Sequence, residues 1–353
     1  MYCEPNNFLR DFMKRILVAA LLLGFVLTSH AQVKPRMRME DKVRIREAMN
    51  IAEAYGENIW KGYNQTPFAI LLVVDSVDYL MNHPSPSEDF KVLGEDRILG
   101  TRVYYRKSVY DAHLLSTFPA INSVSTIVVG TPEKTGKNST EWIITLLHEH
   151  FHQYVQSSPD YYSAVEKLDL AGGDQTGMWM LNFPFPYDNK SVVAQYEKYT
   201  DALSQTVSDI GKPDFKKSFK GYKAERGKLQ TILKPADYRY FSFQIWQEGL
   251  AQYTEYKFLA LANDYSVSEA VKDLFDYVPL NTYREEFYRN LSDGITKCDL
   301  AERQRLCLYG AGCAEGLILD ELVPAWREKY LKEKFYIERY ADDFKPKTVK
   351  KKK

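Results

Sequence analysis

The chain is poor in cysteine and histidine, with four and six residues among 353, and it has no excess of charge of either sign. Its 47 basic and 47 acidic residues cancel, so its charge gives no reason to expect nucleic acid or an acidic lipid surface as a partner. No internal repeat or low-complexity linker interrupts the sequence. The length of the chain and the lack of a linker predict one large domain, or two closely associated ones, with enough residues to bury a sizeable core.

No apolar run is long enough to span a membrane. The longest, Ile16–Leu27, has twelve residues, whereas a transmembrane helix needs about twenty. It follows two basic residues and precedes a small-x-small cleavage sequence that ends at Ala31. This order is typical of a secretory signal peptide over residues 1–31, in which residues 1–12 form an upstream extension. The sequence therefore predicts an exported protein, periplasmic or extracellular, with no stable membrane span after cleavage.

Cys298, Cys307 and Cys313 follow the predicted signal peptide. In an oxidising compartment one pair of them can form a disulfide and leave the third thiol free, and the spacing alone does not choose the pair. A metal site made of these cysteines is disfavoured, because no histidine lies near them in the sequence and their spacing matches no zinc pattern.

The rare histidines include the sequence His148-Glu149-His150-Phe-His152. On a helix, His148 and His152 lie one turn apart on the same face, so both imidazoles can reach one metal ion. Zinc accepts neutral imidazole nitrogen, and catalytic zinc sites have three protein ligands and one open position. Glu149 lies about 100° further round the helix, where its carboxylate can take a proton from an activated water. The motif predicts a hydrolytic site with one zinc ion and Glu149 as general base.

The flanking sequence predicts that this motif lies on a half-buried helix. The segment Trp142–Val155 has helical apolar periodicity, Asn138 with Glu141 three residues later is a weak capping box, and Pro159 marks the end. A purely structural role for the histidines is the alternative interpretation. His150 points to the far side of the helix, which predicts a core histidine or one that supports the site from outside the ligand set.

A third ligand must come from elsewhere in the chain. The metzincin pattern requires glycine at 155 and histidine at 158, but the chain has Val155 and Ser158. Glu248 lies in an apolar-flanked helical segment, where a carboxylate is costly to bury unless a metal or a partner binds it. The adjacent Gly249 permits close approach of another helix. We predict Glu248 as the ligand, with Glu255 as the competing ligand and a surface salt bridge as the ordinary alternative.

The motif His148-Glu-x-x-His152, followed downstream by Glu248-Gly-x-Ala-x-Tyr, resembles the gluzincin branch of the zincin metallopeptidases, the thermolysin-like superfamily. The resemblance covers mainly residues 125–260. It implies two histidine ligands, Glu149 as general base and Glu248 as third ligand. It also implies a zincin-like fold, in which a sheet of five or fewer strands lies above the active-site helix and the substrate pairs along the edge strand.

Two features depart from this family. Gln252 stands four residues after the predicted third ligand, where an acidic residue usually orients a histidine, and the G-x-M-E-N motif of the large aminopeptidases is absent. The developing oxyanion needs a donor besides the metal, and related enzymes use a tyrosine or histidine from a later helix. We predict Tyr309, at the start of a glycine-containing helix, for this role, with Tyr253 as the alternative.

The remaining patterns predict an α+β protein. Helical spacing over residues 40–62 precedes an apolar strand at 68–74, a hairpin within 92–105 and a strand at 125–130. This last strand is either an edge that can bind an extended peptide or an internal strand. From residue 191 onward the periodicity is almost wholly helical, with segments near 191–209, 214–233, 236–263, 266–278, 282–293, 300–321 and 323–340.

These elements suggest an N-terminal α/β subdomain at residues 33–136, a helical catalytic part at 137–342 and a basic tail at 343–353. The predicted function is that of a secreted zinc-dependent peptidase acting on a peptide or protein substrate. One alternative is a zinc hydrolase of a non-peptide amide or ester, and another is a catalytically silent protein that binds a peptide or another partner. An intact Glu149 argues against the silent protein, because a pure binder needs no base.

Overall fold

The structure, a computed structural model, describes residues 34–342. The predicted signal peptide at residues 1–31 and the predicted basic tail at residues 343–353 lie outside the described residues. Within the described range, no helix combines the length and the apolar content that crossing a membrane would require.

Six strands near the N-terminal end of the described range form one mixed sheet. They are β1 (Ile70–Val74), β2 (Val77–Met81), β3 (Lys91–Asp96), β4 (Thr101–Lys107), β5 (Leu115–Ile121) and β6 (Val124–Gly130). Their order is β3-β4-β2-β1-β6-β5, and β1 and β6 pair in parallel while the other neighbours are antiparallel. The sheet therefore has more strands than the five that the resemblance implied as a maximum.

The rest of the described chain is mainly helical. The helices are α1 (Met39–Ile59), α2 (Pro132–Thr135), α3 (Ser139–Gln156), α4 (Tyr161–Glu166), α5 (Trp179–Asn182), α6 (Lys190–Ser208), α7 (Phe215–Ile232), α8 (Pro235–Gln244), α9 (Leu250–Leu261), α10 (Glu269–Lys272), α11 (Leu280–Thr296), α12 (Leu300–Arg303) and α13 (Cys307–Leu322). A π-helical turn, Ile245–Gly249, joins α8 to α9. This arrangement confirms the predicted α+β class, a small N-terminal mixed sheet followed by a larger helical part.

Two of the predicted helical segments are wrong. Residues 266–278 contain only the single turn α10, and residues 323–340 contain only short 3-10 helices, Trp326–Glu328 and the start of Ile337–Ala341. Apolar residues that pack against the core from consecutive turns have nearly the spacing of a helix, so periodicity alone does not separate the two. The other segments predicted after residue 191 contain α6 to α9 and α11 to α13.

The edge strand nearest the helical part is β5. The strand predicted at residues 125–130 as a candidate edge corresponds to β6, which is internal because β1 pairs on one side of it and β5 on the other. No sequence pattern predicted β5, which contains Pro119 and a register shift between Phe118 and Ile121. Proline is tolerated in edge strands, where its missing N–H leaves no ladder bond unmade.

Helix α3 lies between the sheet and the helices α1 and α9. On the sheet side, Trp142 Nε1 donates to the Gly130 carbonyl at 3.0 Å, and Gln153 Nε2 donates to the Ala69 carbonyl at 2.9 Å. Nearly every residue of α3 from Ser139 to Val155 is buried. The helix that carries the histidine motif is thus more deeply enclosed than the half-buried helix predicted from its sequence.

Two glycines allow the π-helical turn and α13 to cross at close range. A Cβ on Gly312 would meet Gly249 Cα at 2.6 Å and the Ile245 carbonyl oxygen at 2.7 Å, and a Cβ on Gly249 would meet Gly312 Cα at 2.5 Å. Real Cβ atoms do not approach backbone atoms so closely. The prediction that Gly249 permits close approach of another helix is confirmed, and the crossing brings the start of α13 beside Glu248.

The cysteines after residue 34 separate into one disulfide and one free thiol. Cys298 and Cys307 are bonded, which joins the segment after α11 to the first residue of α13, and Cys313 is free and buried. One pair and one thiol were predicted, and the structure identifies which residues pair.

The glycine crossing leads to a stability prediction. Gly312→Ala should lower the free energy of unfolding by about 1–3 kcal/mol, because the added methyl group forces two packed helices apart. Gly221→Ala is the matched control, since Gly221 is an exposed glycine inside α7 with open space at its Cβ, and it should be neutral or stabilising by up to about 1 kcal/mol. Urea unfolding followed by circular dichroism measures both, and equal stability of the two variants would contradict the crossing.

Candidate metal centre

The ends of α3 follow the sequence signals. Asn138 Oδ1 accepts from the Glu141 backbone N–H at 2.9 Å, which satisfies one of the free donors of the first turn, and the helix ends at Gln156 before Ser157. Both predicted ends are therefore confirmed. Apolar residues on several sides of α3 bury it, so His148, Glu149 and His152 are only 5–7% exposed.

His148, His152 and Glu248 come together at one point. The two Nε2 atoms are 3.2 Å apart, and Glu248 Oε2 lies 3.6 Å from His148 Nε2 and 3.5 Å from His152 Nε2. The two histidines are 7% and 5% exposed, and Glu248 is largely buried. The structure thus brings Glu248, rather than its competitor Glu255, to face both imidazoles, and the three side chains form a group that could hold a metal ion.

The spacing of these three atoms can be compared with a metal coordination sphere. Zinc binds imidazole nitrogen and carboxylate oxygen at about 2.0–2.2 Å in tetrahedral geometry, which places neighbouring ligand atoms roughly 3.3–3.6 Å apart. The observed edges of 3.2, 3.5 and 3.6 Å describe one face of such a tetrahedron. The fourth corner would stay open for another ligand. The donor set and its spacing therefore fit a tetrahedral divalent ion.

The outer nitrogen of each imidazole also has a partner. His148 Nδ1 lies 2.5 Å from the carboxylate oxygen Oε1 of Glu255, which can accept its N–H, whereas His152 Nδ1 lies 3.2 Å from the amide nitrogen Nε2 of Gln247, which is a donor. Metal-bound histidines usually donate their second ring N–H to a carboxylate or carbonyl oxygen, which orients the ring and raises its basicity. Glu255 contacts His148 although the acidic residue was expected at position 252, because seven residues, like four, return to the same face of a helix.

The charges of the histidines and carboxylates in this group shift one another's pKa values. Burial lowers the pKa of His148, but the carboxylates of Glu248 and Glu255 outweigh burial and raise it to about 10. Burial raises the pKa of Glu248, yet the adjacent His152 and His148 hold it well below its usual range. The carboxylates of Glu248 and Glu255 therefore stabilise positive charge at the point where the two Nε2 atoms lie close together. An ion bound there would supply that charge in place of the imidazole protons.

Glu149 lies beside this group and is 5% exposed. Its Oε2 accepts a hydrogen bond of 2.7 Å from Thr117 Oγ1, and Thr117 belongs to the edge strand β5. The carboxylate is outside the His–His–Glu group, as its position on the helix predicts. Thr117 was not predicted, because nothing local in the sequence connects a strand residue to a helix 32 positions later.

The two tyrosines proposed as oxyanion donors occupy different places. The Tyr309 ring is 6.2 Å from the His148 ring and nearly parallel to it. Burial and the charge of Glu248 raise the pKa of Tyr309 well above its usual value, so its hydroxyl keeps its proton. Tyr253 instead donates to Asp320 at 2.8 Å, on the other side of α9. Tyr309 therefore lies at the candidate centre and Tyr253 does not.

Arg305, which the sequence analysis did not single out, also belongs to this region. Its Nη1 donates to Tyr309 Oη at 2.8 Å. It is half-buried, and it precedes the predicted tyrosine by four residues in the short 3-10 helix Gln304–Leu306. No sequence motif marks Arg305 as a functional residue. Only the position of α13 in the structure shows that it lies near Glu248.

His150 belongs to the core, in agreement with one of the two roles predicted for it. Its ring stacks on Phe68 with a centroid distance of 4.0 Å, and its Nδ1 lies 2.8 Å from Gln153 Oε1. Burial lowers the pKa of His150 to about 4, so the ring is neutral at physiological pH. It takes no part in the group.

Comparison with known proteins leaves the site as the main source of functional inference. No protein-family model matches the chain, and neither the characterised proteins nor the solved structures searched contain a match. The fold and the site define an α+β protein with a buried His–His–Glu group that could bind a metal ion. The likeness to gluzincins rests on the two motifs and on their meeting in space.

Glu255 supplies a test of the centre that does not depend on turnover. Glu255→Gln keeps the size of the side chain but removes the charge that orients and polarises His148, so zinc affinity should fall about 10–100-fold. Competition with a chromophoric chelator measures the affinity. Glu141→Gln, a carboxylate seven residues before His148 on the same helix, should leave the affinity unchanged. Unaltered zinc binding by the Glu255 variant would contradict the proposed support of His148.

Proposed function

We propose that the chain is a zinc-dependent peptidase that hydrolyses peptide bonds, with His148, His152 and Glu248 as metal ligands. The observation that carries the proposal is the triangle of ligand atoms 3.2–3.6 Å apart, with the carboxylate of Glu149 beside it. Two imidazoles and one carboxylate with an open fourth position are the donor set of catalytic zinc. Bound there, zinc supplies a Lewis acid that polarises a carbonyl oxygen and activates a water.

Glu149 acts as the general base in this proposal. It accepts a proton from the attacking water and passes it to the leaving nitrogen. The hydrogen bond from Thr117 to Oε2 fixes the orientation of the carboxylate and leaves Oε1 to receive the proton. Glu149 is only 5% exposed, so few other water molecules can compete with the attacking water for this oxygen.

Tyr309 donates a hydrogen bond to the oxyanion that develops on the substrate carbonyl. Its raised pKa keeps the hydroxyl protonated, and the hydrogen bond from Arg305 to the same oxygen polarises that hydroxyl towards donation. Removing a single donor of this kind typically lowers kcat by about 10²–10³. The close crossing at Gly249 and Gly312 holds the tyrosine at this position.

The edge of β5 favours a peptide over other substrates. Among the strands of residues 34–342, β5 pairs only with β6, so no strand covers its other edge, although the Thr117 carbonyl accepts from Gln156 Nε2 at 3.2 Å. An extended chain could pair with the remaining backbone groups of this edge. Thr117 of this strand contacts Glu149, so a chain paired along β5 passes next to the base. A hydrolase of non-peptide amides or esters would use the same centre without needing the strand edge. A silent binder would need neither Glu149 nor its partner.

We further propose that the protein is exported, periplasmic or extracellular. The signal-like sequence in residues 1–31 supports this location, and the Cys298–Cys307 disulfide fits an oxidising compartment.

Glu149→Gln tests the chemistry. The variant should bind one zinc ion with the affinity of the wild type, and its turnover of a peptide library should fall by about 10²–10⁴, because only the base is lost. Metal analysis and cleavage profiling by mass spectrometry measure the two properties. Loss of zinc together with activity would identify Glu149 as a ligand instead, and full activity would exclude it as the base. Parallel ester and amide substrates distinguish the non-peptide hydrolase.

Glu248 tests the ligand set. Glu248→Gln removes a carboxylate from the triangle, so zinc affinity should fall by more than the roughly 10–100-fold expected for loss of an outer partner such as Glu255. The same chelator competition measures both variants. If Glu255→Gln proved the more damaging of the two, the assignment of ligand and outer partner would have to be exchanged.

A further inference from the structure

The guanidinium of Arg305 is a cation at the candidate centre, and no carboxylate of the described residues contacts it directly. Its one side-chain hydrogen bond within residues 34–342 goes to Tyr309 Oη, and it forms no ion pair with a described acidic residue. Structural arginines in this protein differ: Arg44, Arg226 and Arg327 each pair with a carboxylate within 2.6–3.4 Å. Arg305 therefore has donor groups available to another partner.

The carboxylate that acts on Arg305 electrostatically is Glu248. In the proposed holoenzyme, Glu248 binds the metal, and its charge is then shared with the ion. Arg305 would keep a full positive charge, separated from the centre by the Tyr309 hydroxyl. A planar guanidinium with free N–H groups matches the two oxygens of a carboxylate.

The backbone next to Arg305 is strained. Gln304 has φ 50° and ψ −129°, a backbone conformation that residues other than glycine rarely adopt. The Cys298–Cys307 disulfide closes the surrounding loop, and Asp299 caps α12 inside it by accepting from Ala301 N at 2.9 Å. Residues in such conformations persist where the surrounding structure enforces them, and they concentrate at ligand-binding sites. This loop holds the arginine at the centre.

We propose that Arg305 is a specificity-determining residue that binds a carboxylate of the substrate next to the scissile bond. This inference rests on the proposed peptidase function and names its substrate class, which is peptides that carry a carboxylate within about one residue of the cleaved bond. The carboxylate has two sources with the same chemistry, the free C-terminus of the peptide or an acidic side chain. Arg305 donates to the Tyr309 hydroxyl, and this hydroxyl is also hydrogen-bonded to Glu248. A carboxylate bound by Arg305 therefore lies close to the metal group and not in a distant subsite.

Paired peptide libraries test the substrate class. Zinc-loaded wild-type protein is given N-acetylated hexapeptides with a free C-terminal carboxylate, and the same peptides with a C-terminal carboxamide. Cleavage confined to the last bond of the free acids identifies the C-terminus as the anchor. Cleavage beside aspartate or glutamate in both libraries identifies the side chain. Cleavage of both libraries with no preference for an anionic group overturns the inference but leaves the peptidase intact, and cleavage of neither overturns the peptidase and the inference together.

A binding measurement separates anchoring from effects on the chemical step. The best-cleaved peptide, and its analogue in which the carboxylate is replaced by an amide, are titrated into zinc-loaded Glu149→Gln protein by calorimetry. Adding Arg305→Met should raise the Kd of the carboxylate peptide at least about tenfold and leave that of the amide analogue unchanged. Arg305→Lys should recover part of the loss, because it keeps the charge without the planar fork.

Arg303→Met is the matched control, since Arg303 is exposed in the same loop two residues earlier. It should change neither Kd. An equal loss for both peptides in Arg305→Met would show that the arginine acts only through Tyr309, and an equal loss in Arg303→Met would show that the loop as a whole is responsible. Either outcome overturns the proposal. Zinc content and thermal unfolding of each variant verify that the fold and the centre are intact.

Discussion

A buried carboxylate that faces two imidazole nitrogens is the interaction on which this structure depends. Glu248 Oε2 lies within 3.6 Å of the Nε2 atoms of His148 and His152, and the Glu248 side chain is only 15% exposed, so little water solvates its charge. Burying such a carboxylate is costly unless positive charge compensates it. A divalent ion at the shared point meets this requirement, and it also explains why both rings present the same nitrogen.

The elements around this point hold it from three sides. The sheet contributes Thr117 from its edge strand, the long helix that contains the π-helical turn contributes Glu248 and Glu255, and the disulfide-closed loop with the start of α13 contributes Arg305 and Tyr309. Each of these side chains orients another group at the centre. Because the helices cross at a glycine pair, the positions of the carboxylate and the tyrosine are set by backbone contact rather than by flexible side chains.

The sheet and the helical part have different roles in the proposed enzyme. In the proposed enzyme, the edge of β5 that no described strand covers would bind an extended chain, whereas the helical part carries the charged groups that would bind metal and substrate carboxylate. Helix α3 joins the two, since its histidines face the helical part while the Glu149 carboxylate contacts the strand. A substrate bound along β5 would therefore contact Glu149, the metal group and Arg305 at the same time.

The sequence by itself determined the local features: the two histidines one turn apart, the ends of α3 at Asn138 and Gln156, the α+β order of elements and the apolar setting of Glu248. These follow from helical periodicity and capping, which act over a few residues. Only the tertiary structure decided that β5 is an edge strand, that Glu255 contacts His148, that Arg305 lies beside Tyr309 and that Cys298 pairs with Cys307. The contact of Glu255 with His148, 107 positions away, depends on how separate elements pack, and a residue so distant leaves no mark on the periodicity of the segment it contacts. Arg305 and Tyr309 are only 4 positions apart and Cys298 and Cys307 only 9, but these contacts depend on the conformation of the turns between them, which no periodic pattern specifies.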